Sequence, residues 1–164
     1  MNLDFFDRSK IIEGRAWIIR KDFINNQMIF ADKFLRIDDF NELGQYTFSG
    51  LKEYHDFATK VIPGDILITG KAFGCGVFRQ QSIDCFISLG IQAVIAASFC
   101  KTWEDHSIAA GFPVLTYKEL APLYLEQGDR IRVYFVKGMM KNLRNNRTTA
   151  IRPFSRKQMN SYLK

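Results

Sequence analysis

The stretch from Pro63 to Ala97 constrains the fold more than any other part of the chain. Pro63-Gly64-Asp65 reads as a turn that opens a short apolar run, Ile66-Leu67-Ile68-Thr69-Gly70. A glycine-bearing loop, Phe73-Gly74-Cys75-Gly76, follows it. Residues Val77 to Leu89 then place Ile83, Phe86 and Ile87 at helical spacing, with Gly90 as a natural terminator. The next segment, Gln92-Ala93-Val94-Ile95-Ala96-Ala97, is apolar on both faces. A strand without a polar face must be covered on both sides, as parallel strands in α/β sheets are. An α/β layered fold is therefore expected.

The remaining segments extend this pattern. Residues 1–13 read as an N-terminal extension and residues 14–164 as a single domain. Arg15 to Arg20 is a strand candidate, and Asp22 to Lys33 is a loop with a short helix. Asp38 to Gly50 is a surface excursion, and Leu51 to Thr59 is a helix candidate. Ser98 is placed to cap a helix ending near Gly111. A strand (Pro113 to Thr116), a helix (Lys118 to Glu126) and a strand (Arg130 to Val136) follow. Asn145-Asn146 is a turn between the last two strands, and Arg156 to Leu163 is a closing helix.

Composition excludes several classes. An apolar fraction of 47% with 24% charged residues describes a chain with a real core. No apolar run reaches the roughly 20 residues that span a bilayer. The acidic start, Met1-Asn2-Leu3-Asp4-Phe5-Phe6-Asp7, is unlike a signal peptide, so a cytoplasmic location is expected. Cys75, Cys85 and Cys100 form no metal-type spacing, and in that compartment they read as buried thiols. An iron–sulfur site on this chain alone is not expected.

The segment Gly70-Lys71-Ala72-Phe73-Gly74-Cys75-Gly76-Val77-Phe78-Arg79 joins a buried strand to a helix. Main-chain N–H groups at such a helix start point outward with a partial positive charge behind them. Gly74 and Gly76 let a ligand approach the backbone, and Arg79 offers a planar fork to a carboxylate or phosphate. The segment thus reads as an anion site, with a tight turn and a solvent-facing Arg79 as the plain alternative. No GxGxxG and no Gly-Lys-Ser/Thr occurs here, so a nucleotide loop is not indicated.

Lys71-Ala72-Phe73-Gly74-Cys75-Gly76-Val77-Phe78-Arg79-Gln80 resembles the small-subunit signature of isopropylmalate isomerase and other aconitase-superfamily enzymes, G-K-N-F-G-C-G-S-S-R-E. Gly14-Arg15-Ala16-Trp17, Phe34-Leu35, Pro63-Gly64-Asp65-Ile66, Leu89 to Ala96, Ala97-Ser98-Phe99 and Gly111-Phe112-Pro113-Val114-Leu115 follow the family's order and spacing. The resemblance implies a swivelling β/β/α domain, as in the aconitase C-terminal domain. It also implies a separate large subunit carrying a [4Fe–4S] cluster, with no cofactor on this chain. The pair would dehydrate and rehydrate a hydroxy di- or tricarboxylic acid, as in leucine biosynthesis. Gly74, Cys75, Gly76, Arg79, Lys101 and Arg36 would then contact the substrate.

Departures fall on functional positions. The signature serine that acts as the base aligns with Val77, which has no proton to exchange; the second serine aligns with Phe78, and the glutamate with Gln80. Loss of a general base typically costs about 10²–10⁴ in rate. The family's D-x-D-T-D aligns with Asp22 to Gln27, where Asn25-Asn26-Gln27 replace the Asp-Thr-Asp portion. Its S-F-A-R-I-x-x-x-N becomes Ser98 to His106, so Lys101 replaces arginine and His106 asparagine. His106 is a weak substitute base, with Cys75 and Ser82 weaker still, and His55 reads as exposed. Arg36 and Ile37 follow Phe34-Leu35, where the family sorts substrates by side chain.

Two further readings stand beside the enzyme. One is a catalytically inactive paralogue that binds a small carboxylate or a partner protein. The other rests on charge: Arg130 to Lys164 holds ten bases and no acid, while the first 129 residues carry a net charge of −4. Arg144, Arg147, Arg152, Arg156 and Lys157 with Tyr134, Phe135 and Phe154 could meet nucleic-acid phosphates and bases. A docking face for an acidic subunit or a solvated rim explains the same residues and is preferred.

Overall fold

A computed structural model describes residues 10–164. Seven strands form one sheet: β1 (Ile11–Ile18), β2 (Ile66–Ile68), β3 (Ala93–Ala96), β4 (Val114–Thr116), β5 (Arg130–Tyr134), β6 (Met139–Asn142) and β7 (Thr148–Ala150). Their spatial order is β4-β3-β2-β1-β5-β6-β7. β1 to β4 are mutually parallel, and β5 to β7 continue antiparallel from the other edge of β1. The sheet curls until its ends meet: Tyr117 bridges Ile151, and the Arg152 N–H donates to the Thr116 carbonyl at 2.8 Å.

Curling explains why the central strands lack a polar face. Ile66, Ile68, Ala93, Ile95 and Leu115 point inward with Ile131, Val133 and Met140. Their neighbours Leu67, Val94, Ala96 and Val114 point outward beneath Phe30, Phe48, Phe57, Phe86 and Trp103. Three helices of two or more turns accompany the sheet: α1 (Gln81–Leu89), α2 (Lys101–Ala109) and α3 (Arg156–Tyr162). Gly90 ends α1 in the left-handed conformation, at φ 78°.

Several expected boundaries change. β1 starts at Ile11, inside the expected extension, because Ile11 to Arg15 pairs with Tyr134 to Arg130. The helix expected from Val77 starts at Gln81, and residues 77–80 continue the loop. Ser98 caps no helix; its hydroxyl accepts the Ala72 N–H at 2.8 Å, and α2 begins after Cys100. Lys118 to Glu126 contains only a 3-10 turn, Ala121–Leu123, broken by Tyr124 at φ 46°. Leu51 to Thr59 gives two short turns, Lys52–Tyr54 and Phe57–Lys60. The supposed surface excursion is anchored, with Leu43 and Phe48 in the core.

The cysteines also need correction. Cys75 and Cys100 are joined as a disulfide, with Cα atoms 5.0 Å apart. Only Cys85 is a buried free thiol, its pKa pushed up to about 12 by burial.

Candidate functional site

Loops leaving the C-terminal ends of β1, β2 and β3 meet at one rim. Asn25 bridges Cys75, and Phe73 bridges Phe99. The Gly74 N–H donates to the Ile24 carbonyl at 2.8 Å, and the Phe73 N–H to the Ser98 carbonyl at 3.1 Å. Asp22, at the end of the first loop, accepts the Lys71 N–H at 2.7 Å. The sequence signature thus becomes the middle of three strand-end loops.

Asn26 lies beneath the signature and is fully buried. Its side-chain amide donates to the Gly74 carbonyl at 2.8 Å and the Cys75 carbonyl at 2.9 Å. Its oxygen accepts the Ser82 hydroxyl at 2.6 Å, and that hydroxyl accepts the Trp103 indole N–H at 3.0 Å. Gly74 has φ 85°, and a Cβ there would stand 2.4 Å from Trp103 Cγ. Only glycine combines that backbone with that contact. The N–H groups of Cys75, Gly76 and Val77 have no acceptor among the described residues.

Arg79 does not face bulk water. Its side chain is 9% exposed, and Nη1 donates to the Phe30 carbonyl at 3.0 Å and to Asp32, whose own side chain is 66% exposed. Nε is buried without a partner. One side of the guanidinium is therefore held by the protein, while Nε remains an unmet donor. Gln81 Nε2 reaches the Leu35 carbonyl at 3.2 Å, so the turn bearing Arg36 is tied to the start of α1.

The other expected site residues are dispersed around this rim. Val77 is 73% exposed and offers only methyl groups. Phe78 stacks on His106 with ring centroids 4.1 Å apart. His106 Nδ1 donates to the Thr102 carbonyl at 2.8 Å, which leaves Nε2 as an acceptor on an exposed ring. Lys101 is exposed and paired with Asp105 at 3.2 Å. Arg36 is exposed and makes no ion pair among the described residues. His55 is exposed as expected. A cleft of about 250 Å³ adjoins the loops, lined by Arg20, Asp22, Thr69, Gly70 and Tyr117 among others.

Spacing did not reveal the partners of these residues. Asp32, 47 positions from Arg79, and Trp103, 21 from Ser82, are joined to the site only by tertiary packing. Among the described residues no three His, Cys, Asp or Glu side chains could hold a metal. With Cys75 and Cys100 paired and Cys85 enclosed, this chain's cysteines do not fit an iron–sulfur cluster. No described helix is long and apolar enough to cross a membrane.

Known proteins share this fold. Residues 17–120 match the Aconitase C-terminal domain family. The chain is 30% identical over 145 residues to the methanogen homoaconitase small subunit of Methanothermobacter thermautotrophicus, covering 88% of this chain and 81% of that protein. It is 34% identical over 140 residues to the 3-isopropylmalate dehydratase small subunit 1 of Archaeoglobus fulgidus, covering 85% and 84%. The crystal structure of 3-isopropylmalate dehydratase from Methanocaldococcus jannaschii superposes with a TM-score of 0.79 at 28% identity, over 90% of this chain and 86% of that one. A family match across most of the chain, the shared fold and the retained Gly74-Cys75-Gly76 loop lead to one assignment: this chain belongs to the aconitase C-terminal domain family.

Proposed function

We propose that this chain is the small subunit of a 3-isopropylmalate dehydratase-type hydro-lyase that works in the cytoplasm with an iron–sulfur large subunit. The observation that carries the reading is the rim itself. Unbonded N–H groups of Cys75 and Gly76 stand on the same loop as the buried, half-satisfied guanidinium of Arg79. Backbone donors and an arginine edge suit a carboxylate. Lys101 would add positive charge nearby, and Arg36 would meet the substrate's distal group.

The reaction removes a proton from the carbon beside a carboxylate and hydroxide from its neighbour, then returns them in exchanged positions. Lewis-acid assistance to the departing hydroxide would be supplied by the cluster on the large subunit. On this chain, Cys75, Gly76 and Arg79 would hold and orient the carboxylate. Val77 cannot take the proton, so the acceptor assigned to it in this reading is His106 Nε2.

The test pairs the purified chain with its large subunit under anaerobic conditions and measures interconversion of isopropylmalates and of tricarboxylic homologues. Turnover is expected, falling about a hundredfold or more in His106→Asn if His106 is the base. An unchanged kcat removes His106 from the reaction. Calorimetry with di- and tricarboxylates should show weaker binding by Arg79→Ala, and equal binding would remove Arg79. Binding without turnover on any acid would leave a carboxylate-binding protein.

A further inference from the structure

We propose that Asn26 is the positioning residue of the anion site: its amide turns the Gly74–Cys75 and Cys75–Gly76 peptides so that two N–H groups face the ligand. The inference rests on the carboxylate-binding reading above and specifies which atoms perform it.

The argument is geometric. All peptide bonds of the described residues are trans, so each carbonyl points opposite the N–H of the same peptide plane. Asn26 Nδ2 holds the Gly74 carbonyl at 2.8 Å and the Cys75 carbonyl at 2.9 Å, on the buried side. The N–H groups of Cys75 and Gly76 belong to those same two planes and are directed away from Asn26. Neither finds an acceptor among the described residues. Positive φ at both Gly74 and Gly76, 85° and 84°, permits this orientation on either side of Cys75.

The side chain at 26 must donate twice and accept once. Ser82 supplies the donor that its oxygen needs, at 2.6 Å, and Trp103 fixes Ser82 in turn. An ionised aspartate accepts only. Placed here it would oppose both carbonyl oxygens and release the Gly74–Cys75 plane, besides adding negative charge under an anion site. The Cys75 carbonyl would keep only its bond from the main-chain N–H of residue 26, at 2.8 Å. Asparagine therefore leaves the loop's support neutral and its open side donor-rich.

Nuclear magnetic resonance of the ¹⁵N-labelled chain tests this, with malate, tricarballylate and inorganic sulfate as separate probes. In the native chain, the backbone amide signals of Cys75 and Gly76 should move with each carboxylate, and the Asn26 side-chain amide should exchange slowly. Asn26→Asp should weaken carboxylate binding at least tenfold and abolish the Cys75 movement, whose peptide plane is held by the side chain alone, and reduce that of Gly76. Arg79→Lys should weaken binding while both movements persist at saturation. Because Asn26→Asp could fail to fold, the native titration decides by itself. Carboxylate binding that leaves the two amides still overturns the proposal, as does native-like binding by folded Asn26→Asp. Movement with sulfate alone retains the positioned loop and discards the carboxylate reading; no movement with any probe overturns the positioning role.

Discussion

Two fully buried asparagines support the two halves of the sheet by opposite means. Asn26, under the parallel half, bonds only uncharged groups: two carbonyls and the Ser82 hydroxyl. Asn142, ending β6 in the antiparallel half, donates to the Leu123 carbonyl and to Asp129 Oδ2, each at 3.0 Å. Asp129 is bound in turn by Arg144 Nε at 2.8 Å. Burial pushes the Asp129 carboxyl up, but bonds from Arg144, the Glu126 N–H and Asn142 outweigh it and leave its pKa below the ordinary value. Charged side chains are absent from the buried Asn26–Ser82–Trp103 network under the signature loop, whereas the antiparallel half uses the Asp129–Arg144 pair.

The largest expected effect would break the parallel half. Gly74→Ala needs a Cβ 2.4 Å from Trp103 at φ 85°, so a loss of about 3 kcal/mol or more in unfolding free energy is expected, together with carboxylate binding. A melt like that of the native chain would show that the loop is not held as described. The contrast is Gly128→Ala in the antiparallel half, at φ 89° with nothing within 4 Å, where about 1 kcal/mol is expected.

Reduction comes next. Opening the Cys75–Cys100 link, which spans 25 residues, removes a loop closure worth up to about 3.5 kcal/mol on chain-entropy grounds. A thermal melt with and without reductant, compared with Cys100→Ser, measures it. An effect of reductant that persists in Cys100→Ser would place its origin elsewhere.

The smallest effect sharpens the contrast through pH. Asp129 has a lowered folded pKa, so its stabilisation is complete above its unfolded pKa and is lost as pH falls through the folded value. The stability gap between the native chain and Asp129→Asn should therefore be widest near neutrality and close in acid, below roughly pH 4. The gap for Ser82→Ala, in the neutral network, should not change with pH. Chemical denaturation across that range checks both, and a pH-dependent Ser82→Ala gap would contradict the division.

Features carried by local chemistry were legible in the sequence. The apolar runs of β2 and β3 and the Gly90 terminus of α1 follow from periodicity and backbone preference. Boundaries decided by long-range contacts were not. Val77 and Phe78 suit a helical pattern, yet Val77 stays exposed and Phe78 leaves to stack on His106. Pro122 and the left-handed Tyr124 cut the expected helix after Lys118 to one turn. The cysteine pair was hidden for a similar reason: nothing in a 25-residue spacing indicates that two bridges between loops bring the positions together. Around the signature loop, Gly74, Gly76 and Arg79 could be picked out from the sequence, whereas Asn26, aligned with the threonine of the family's Asp-Thr-Asp, carried no such signal. Its value appears only once two carbonyls are seen against its amide.

Trp103 has a consequence for observing this protein. The chain has two tryptophans, and Trp17 packs edge-on against Phe57. Trp103 is wholly enclosed, touches the Gly74 position and donates its indole N–H to Ser82. Its ultraviolet emission is consequently a native optical gauge: Trp17→Phe would isolate a label-free signal for slackening of the signature loop.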